Sequence, residues 1–459
     1  MQREERQQDQ DGVVADENQL LDPQTHSSRL GFILVFIIIC TVAALPLVLQ
    51  NGGMGLFVLI YLGASVLWIF SASRVPSLSL PAIVTLAVLL RIAFMFADPS
   101  LSGDVYRYRW DGRTSVAGIN PYASAPAASP EASRPVWFGR INHAEIPTIY
   151  PPVAQLLFFL WARGIDTLAF WRLMLLGFDL VTILIIAALG GRRTALVYAI
   201  CPLVLVEGFW SAHLEVAVTA ALLLSVGALL RRREIPAALA CALAIGLKIT
   251  PVAIVPVMIR EARRRWKFAA VLIASVLAPL LPFLGHPLMP GASDYARRWS
   301  FNSPLFQFVR WVLVRESVAS QLKNAFTAIK DSAGLEMIAP MVYAHLYPDY
   351  LARLLLGIVW LVGLSVLTIR VRPLVDAAAE AFVLLIVLSP TIHPWYLLPL
   401  LPLALIADRP EFTLLAIMAP ASYLLYLSPE VQPLVFLLCY GVPILGWVVA
   451  RRRAVQTVV

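Results

Sequence analysis

Residues 30–49 run without a charged side chain, and stretches of that kind recur along the whole chain. They are about 17–23 residues long, the length an α-helix needs to cross the hydrocarbon core of a bilayer. In that solvent the backbone must satisfy its own hydrogen bonds, so only helices and closed barrels can span. Continuous apolar runs of this length, without two-residue alternation, select helices. Composition agrees: 59% of residues are hydrophobic and 14% charged, against about half and about a quarter in soluble domains. The expected fold is an all-α polytopic membrane protein.

The formal net charge is +8. The basic residues stand in short loops between apolar runs, where membrane topology explains them, so no nucleic-acid partner is expected. Cys40, Cys201, Cys241 and Cys439 all lie inside apolar runs, with no spacing that suggests a metal knuckle or a disulfide framework. Residues 1–29 are rich in Gln, Asp and Glu, which predicts a disordered cytoplasmic tail ahead of a transmembrane domain over 30–459. The first apolar run lacks a small-residue cleavage site and reads as an uncleaved helix.

Arg and Lys near helix ends favour the cytoplasm. Placing Arg74, Arg192–Arg193, Arg231–Arg233, the 260–267 cluster, Arg370–Arg372 and Arg451–Arg453 inside predicts about twelve crossings. They fall near 30–49, 54–72, 78–97, 168–189, 194–210, 214–230, 268–285, 351–369, 376–392, 395–407, 411–427 and 433–450. Parity then makes 151–163 a partial or re-entrant helix and folds 235–259 back on itself. The second segment carries Gly246, Lys248 and Pro251 at its centre. Such a break survives in a membrane only where protein or a wet cavity satisfies the backbone. Two long external loops result, about 98–150 and 286–350. His143, His213, His286, His345 and His393 fall outside, and His26 inside. Val318, Leu322, Phe326 and Ile329 share one face of 316–338, opposite Lys323, Lys330 and Asp331, which predicts a helix lying flat on the outer interface.

The first loop opens with SGDVYRYRWDGR. Asp104, Arg107, Tyr108 and Asp111 are spaced i, i+3, i+4, i+7 and would share one face of a helix begun at Ser102 or Gly103 and ended at Gly118. A structural reading pairs Arg107 with Asp111. Charges at a membrane are costly, however, and tend to serve function.

That string, followed by GINPY, resembles the GT-C membrane glycosyltransferases. Within them it is similar to the polyprenyl-phosphate-mannose-dependent mannosyltransferases of glycosyltransferase family 87 and relatives acting on lipomannan and phosphatidylinositol mannosides. The resemblance continues through Tyr150-Pro151-Pro152, Trp210-Ser211-Ala212-His213-Leu214-Glu215, Gly246-Leu247-Lys248-Ile249-Thr250-Pro251 and Ser389-Pro390-Thr391-Ile392-His393-Pro394-Trp395-Tyr396. It spans about 78–407. The first loop has no adjacent acidic pair, a feature of some GT-C branches, so no cofactor is assigned and divalent-metal dependence is left open.

The resemblance implies a multi-pass protein of the bacterial plasma membrane with an extracytoplasmic active site. There a hexose, mannose by the resemblance, would move with inversion from a polyprenyl-phosphate donor to a lipid, glycan or protein hydroxyl. Asp104 would take the proton of the attacking hydroxyl. Lys248, His393 and one of Arg297 or Arg298 would meet the leaving phosphate. Tyr108, Asp111, Tyr150, His213, Glu215, Trp395 and Tyr396 complete the substrate-binding candidates, the last two as sugar-stacking aromatics. The sequence holds no nucleotide-sugar motif, Walker loop or metal-ligand pattern. A competing reading is a transporter or flippase for a lipid-linked or anionic substrate, since discontinuous helices build transporter sites. Against it, the broken segment has no counterpart in the other half. A third reading, a membrane scaffold, gives no reason to gather ionisable residues on one side.

Overall fold

The computed structural model describes residues 23–75, 77–331 and 333–456. The expected tail lies outside the described residues up to position 22, and helix α1 (Pro23–Ala72) begins within the rest of it. α1 fuses the first two expected crossings across Gly53, whose φ of 74° is open to glycine at little cost. Next come α2 (Leu80–Ile92), α3 (Asp104–Val116) and α4 (Pro152–Gly164). α5 (Leu168–Ala199) is again two helices merged, at Gly191 with φ 85°. A π-helical turn, Val204–Trp210, leads into α6 (Glu215–Leu230) through a bend of 116°. The segment expected to break does so. α7 (Glu234–Leu247) stops at an extended Lys248, a tight turn spans Thr250–Ile254, and α8 (Val255–Glu261) follows. Pro251 explains this, because it lacks an N–H and disfavours helix in the residue before it.

α9 (Arg265–Leu277) precedes the second long loop, which is itself helical: α10 (Pro290–Arg298), α11 (Pro304–Arg315), α12 (Val318–Lys330) and α13 (Ala339–His345). α14 (Pro348–Ile369), α15 (Leu374–Leu388), α16 (Leu400–Ile406), α17 (Pro410–Met418), α18 (Gln432–Phe436) and α19 (Val442–Gln456) complete the chain. Among the described residues the only β pairing is an isolated bridge between Phe301 and Thr391.

The count of about twelve crossings is not confirmed. Five described helices are long and apolar enough to cross a membrane, or six if the bent pair around 211–214 is one span. Fusion at the two glycines accounts for part of the difference. Short helices account for more: the 13 residues of α2 rise about 20 Å, against a core of about 30 Å.

The long helices show the asymmetry of lipid-facing elements. α1 buries Ile38, Val42, Leu45, Phe57 and Tyr61 but leaves Phe36, Leu47, Leu59 and Phe70 exposed. Exposed apolar surface on that scale needs a lipid partner. The chain is a multi-pass membrane protein. Its basic clusters meet: Arg193 donates to the Ala72 carbonyl at 3.1 Å, Arg232 pairs with Glu261 at 3.4 Å, and Arg260 reaches the Thr368 carbonyl at 3.5 Å. In the helix expected at an interface, Val318 packs against the small buried cluster that includes Phe306, Leu313 and Leu351, while Leu322 and Ile329 stay exposed.

Candidate functional site

α3 begins at Asp104 with Gly103 as its N-cap, and Gly118 turns the chain after it at φ 75°. The first-turn position suits a carboxylate, because unpaired N–H groups and the helix dipole favour negative charge there. Gly103 allows a close approach: a Cβ would lie 2.4 Å from the Arg140 carbonyl and 2.6 Å from Asn142 Oδ1. Asn142 thereby reaches Asp104 Oδ1, donating at 3.4 Å.

The buried face of α3 docks on α4. Tyr108 stacks on Phe158 at 4.8 Å and meets Tyr150 edge-on at 5.1 Å. Arg107 Nε donates to Asp111 at 3.0 Å, and Gln155 donates to the other Asp111 oxygen at 3.2 Å. Asp111 and Tyr108 therefore serve as the seam between two helices.

The start of the loop is stapled to the bend before α6. Trp210 Nε1 donates to the Asp98 carbonyl at 2.6 Å. The buried Arg172 guanidinium donates to the carbonyls of Phe209, Trp210 and Met95 at 2.7, 2.7 and 2.9 Å. Arg140 forks onto the Asp98 carboxylate at 2.6 and 3.0 Å and holds it below the ordinary carboxylate range. The bend thus places a fully buried His213 beside Asp104, with Nδ1 3.9 Å from Asp104 Oδ2. Glu215, also buried, opens α6 and ion-pairs with Lys248 from the broken segment. The Lys248 ammonium sits 4.0 Å over the Tyr396 ring.

A ladder of rings closes the site. His213 stacks on Trp395 at 4.0 Å, Trp395 on His393 at 4.5 Å, and His393 on Phe301 at 4.7 Å. The Phe301–Thr391 bridge holds the second loop against the turn that carries these rings. Asp104, Tyr150, Lys248, His393, Trp395 and Tyr396 line one cavity of about 1040 Å³. Its wall also includes the apolar Val252, Trp360 and Leu385. Burial pushes the Asp104 carboxyl above its ordinary value, with nearby Lys248 opposing the rise. Among the described residues no group of three or more His, Cys, Asp or Glu is arranged to hold a metal ion.

Six of the sequence candidates thus line the cavity, and His213 and Glu215 stand directly behind Asp104 and Lys248. Arg297 and Arg298 do not join them: they lie on the exposed face of α10, 3.7 and 3.5 Å from Asp294. The same helix turns Tyr295 and Ala296 toward the cavity. Sequence reasoning missed Tyr295, Asn142 and, above all, Glu207. Glu207 is a fully buried carboxylate 3.6 Å from His213 Nε2 that accepts from Tyr423 at 2.9 Å. A lone acid inside the apolar run VLVEGFW was the available signal.

Residues 26–263, more than half of the chain, match the family described as alpha-(1->6)-mannopyranosyltransferase, N-terminal domain. The match includes Asp104, His213, Glu215 and Lys248 and stops short of His393, Trp395 and Tyr396. No curated protein and no solved structure matches the chain significantly. By this match, which takes in the cavity-lining Asp104 and Lys248, the chain belongs to the alpha-(1->6)-mannopyranosyltransferase family.

Proposed function

We propose that this mannosyltransferase takes its sugar from a polyprenyl-phosphate-linked donor and passes it, with inversion, to a hydroxyl of a lipid, glycan or protein acceptor at the extracytoplasmic face. One observation carries the reading: a carboxylate, Asp104, and an ammonium, Lys248, share a cavity whose wall also includes apolar side chains. A lipid-linked sugar phosphate needs all three.

The acceptor oxygen forms a bond to the anomeric carbon on the face opposite the phosphate. The bond from that carbon to the phosphate oxygen breaks. The hydroxyl proton passes to Asp104, and the polyprenyl phosphate leaves as an anion. Lys248 has three N–H donors, and Glu215 occupies one. The others can meet the departing phosphate, where charge develops. Trp395 and Tyr396 offer ring faces to the sugar. Inversion turns a β-linked donor into an α-linked product. The basic clusters gathered at the other helix ends support an extracytoplasmic cavity, because positive loops stay inside.

The test uses purified protein in vesicles with two labelled donors, polyprenyl-phosphate-mannose and nucleotide-activated mannose, and an endogenous lipid extract as acceptor. Transfer from the first alone, with an α-linkage seen by NMR from a β-linked donor, supports the reading. Transfer from the nucleotide, or a retained configuration, refutes it.

A further inference from the structure

His213 is fully buried between two carboxylates, with Nδ1 3.9 Å from Asp104 Oδ2 and Nε2 3.6 Å from Glu207 Oε2. At these separations neither ring nitrogen has a hydrogen-bond partner among the described residues. The ring is held in place by its stack on Trp395, and the chain around it is fixed by a Trp171 indole that donates to the Ala212 carbonyl at 2.9 Å. Glu207 is fixed by the Tyr423 hydroxyl, which touches both carboxylate oxygens at 2.9 and 3.0 Å. This is a built arrangement, and the substrate steps above leave it unused.

Proton counting decides what it does. Among the described residues Glu207 makes no ion pair with Arg or Lys, only the His213 contact. A buried carboxylate without a compensating cation is costly. The Glu207–His213 pair therefore carries one proton beyond that of a neutral imidazole beside a carboxylate. That proton can sit on Glu207, which then donates to Nε2 and forces the other tautomer. It can instead sit on the ring, making an imidazolium. In both distributions Nδ1 bears a hydrogen, and it points at Asp104. The alternative, with a bare Nδ1 lone pair facing the Asp104 carboxylate, sets two acceptors against each other at 3.9 Å.

We infer that His213 is a positioning residue for Asp104: with its tautomer set by Glu207, it directs an N–H at Asp104 Oδ2 and orients the carboxylate for the incoming acceptor hydroxyl. The inference rests on the reading of Asp104 as the base. The contact closes from 3.9 Å when substrate fills the cavity, as catalytic hydrogen bonds commonly do. His213 does not touch the reacting atoms, so its loss acts on kcat and leaves donor KM in place.

The experiment separates the N–H from the ring. His213→Phe keeps the aromatic stack on Trp395 and removes the donor. His213→Asn loses the ring and keeps an N–H at the Nδ1 position. Both are assayed with Asp104→Asn in vesicles holding labelled polyprenyl-phosphate-mannose and endogenous lipid acceptor, after monodisperse elution in detergent shows folded protein. His213→Phe is expected to lower kcat at least about 10-fold, the scale of a lost orienting hydrogen bond, with KM changed less than about 3-fold. His213→Asn is expected to restore most of the loss. Glu207→Gln, whose amide N–H can still face Nε2, is expected to keep more activity than His213→Phe, and the reverse order would refute the part given to Glu207. If His213→Phe matches wild type, or is at least as active as His213→Asn, the ring serves packing and the inference is wrong. An inactive Asp104→Asn beside an active His213→Phe overturns this inference alone, whereas an active Asp104→Asn overturns the base reading and the inference with it.

Discussion

Lys248 and Glu215 stand 33 residues apart and meet across two helix breaks, the cation at the end of α7 pairing with the carboxylate that opens α6. The pair fixes two discontinuities against each other and sets an ammonium in the wall of the cavity. In a membrane, irregular backbone survives only when the protein satisfies it in this way.

Removing one partner strands the other. Glu215 is 1% exposed, so Lys248→Met leaves a buried unpaired carboxylate, a cost of about 3–5 kcal/mol. Lys248→Met combined with Glu215→Leu is expected to recover most of that stability and stay inactive, because the proposed phosphate partner is gone. Thermal unfolding in detergent alongside transfer assays checks both halves.

Asp104 carries a pKa above the ordinary 3.8, chiefly because burial disfavours its ionised form. In the proposed mechanism transfer needs the carboxylate, so the acid limb of the pH–rate profile is expected above 3.8, with activity falling as pH drops through it. Stability runs the other way. A raised folded-state pKa favours the protonated acid, and its contribution is full below the unfolded value and lost as pH rises through the folded one. At neutral pH the ionised Asp104 is therefore a net cost, and Asp104→Asn is expected to melt no lower than wild type. A clear drop in melting temperature would contradict this.

Helix α3 reaches the site through a close approach at Gly112. A Cβ there would stand 2.2 Å from the Phe158 carbonyl of α4. Gly112→Ala forces the two helices apart, costing about 1–3 kcal/mol, and moves Asp104 with α3. Melting temperature and transfer rate are expected to fall together, whereas a nearby surface change such as Ser124→Ala leaves both unchanged.

Several of these elements are legible in the sequence. The bounds of α3 follow from Gly103 and Gly118, and the break at Lys248 follows from Pro251. The seam role of Asp111 was legible only as one of two alternatives, since spacing pairs it with Arg107 but cannot supply Gln155. Glu207 was hidden, because its partner Tyr423 lies 216 residues away. Arg297 and Arg298 look like phosphate ligands in a list of charges. Only the rotation of α10 about its axis shows which residues turn inward, and that rotation is set by tertiary contacts such as Tyr295 with Tyr396. The number of crossings is hard to read for a related reason: hydropathy locates apolar runs without revealing that a glycine joins two of them or that a helix stops after 13 residues.

Orientation is tested by cysteine accessibility. Cys40 is exposed, so it is first replaced by Ser; Cys201, Cys241 and Cys439 are buried. Ser124→Cys and Arg264→Cys both place a thiol at an exposed position. A membrane-impermeant maleimide applied to intact cells is expected to label position 124 and not 264. The reverse pattern would put the cavity on the cytoplasmic side.

The most direct test of the central claim is mannosyl transfer in membranes from labelled polyprenyl-phosphate-mannose, comparing wild type with Asp104→Asn. The substitution keeps shape and hydrogen bonding while removing the base. The account predicts transfer by wild type and a fall of about 10²–10⁴-fold in a variant that elutes and melts as folded protein. Transfer at wild-type rate by Asp104→Asn would contradict it.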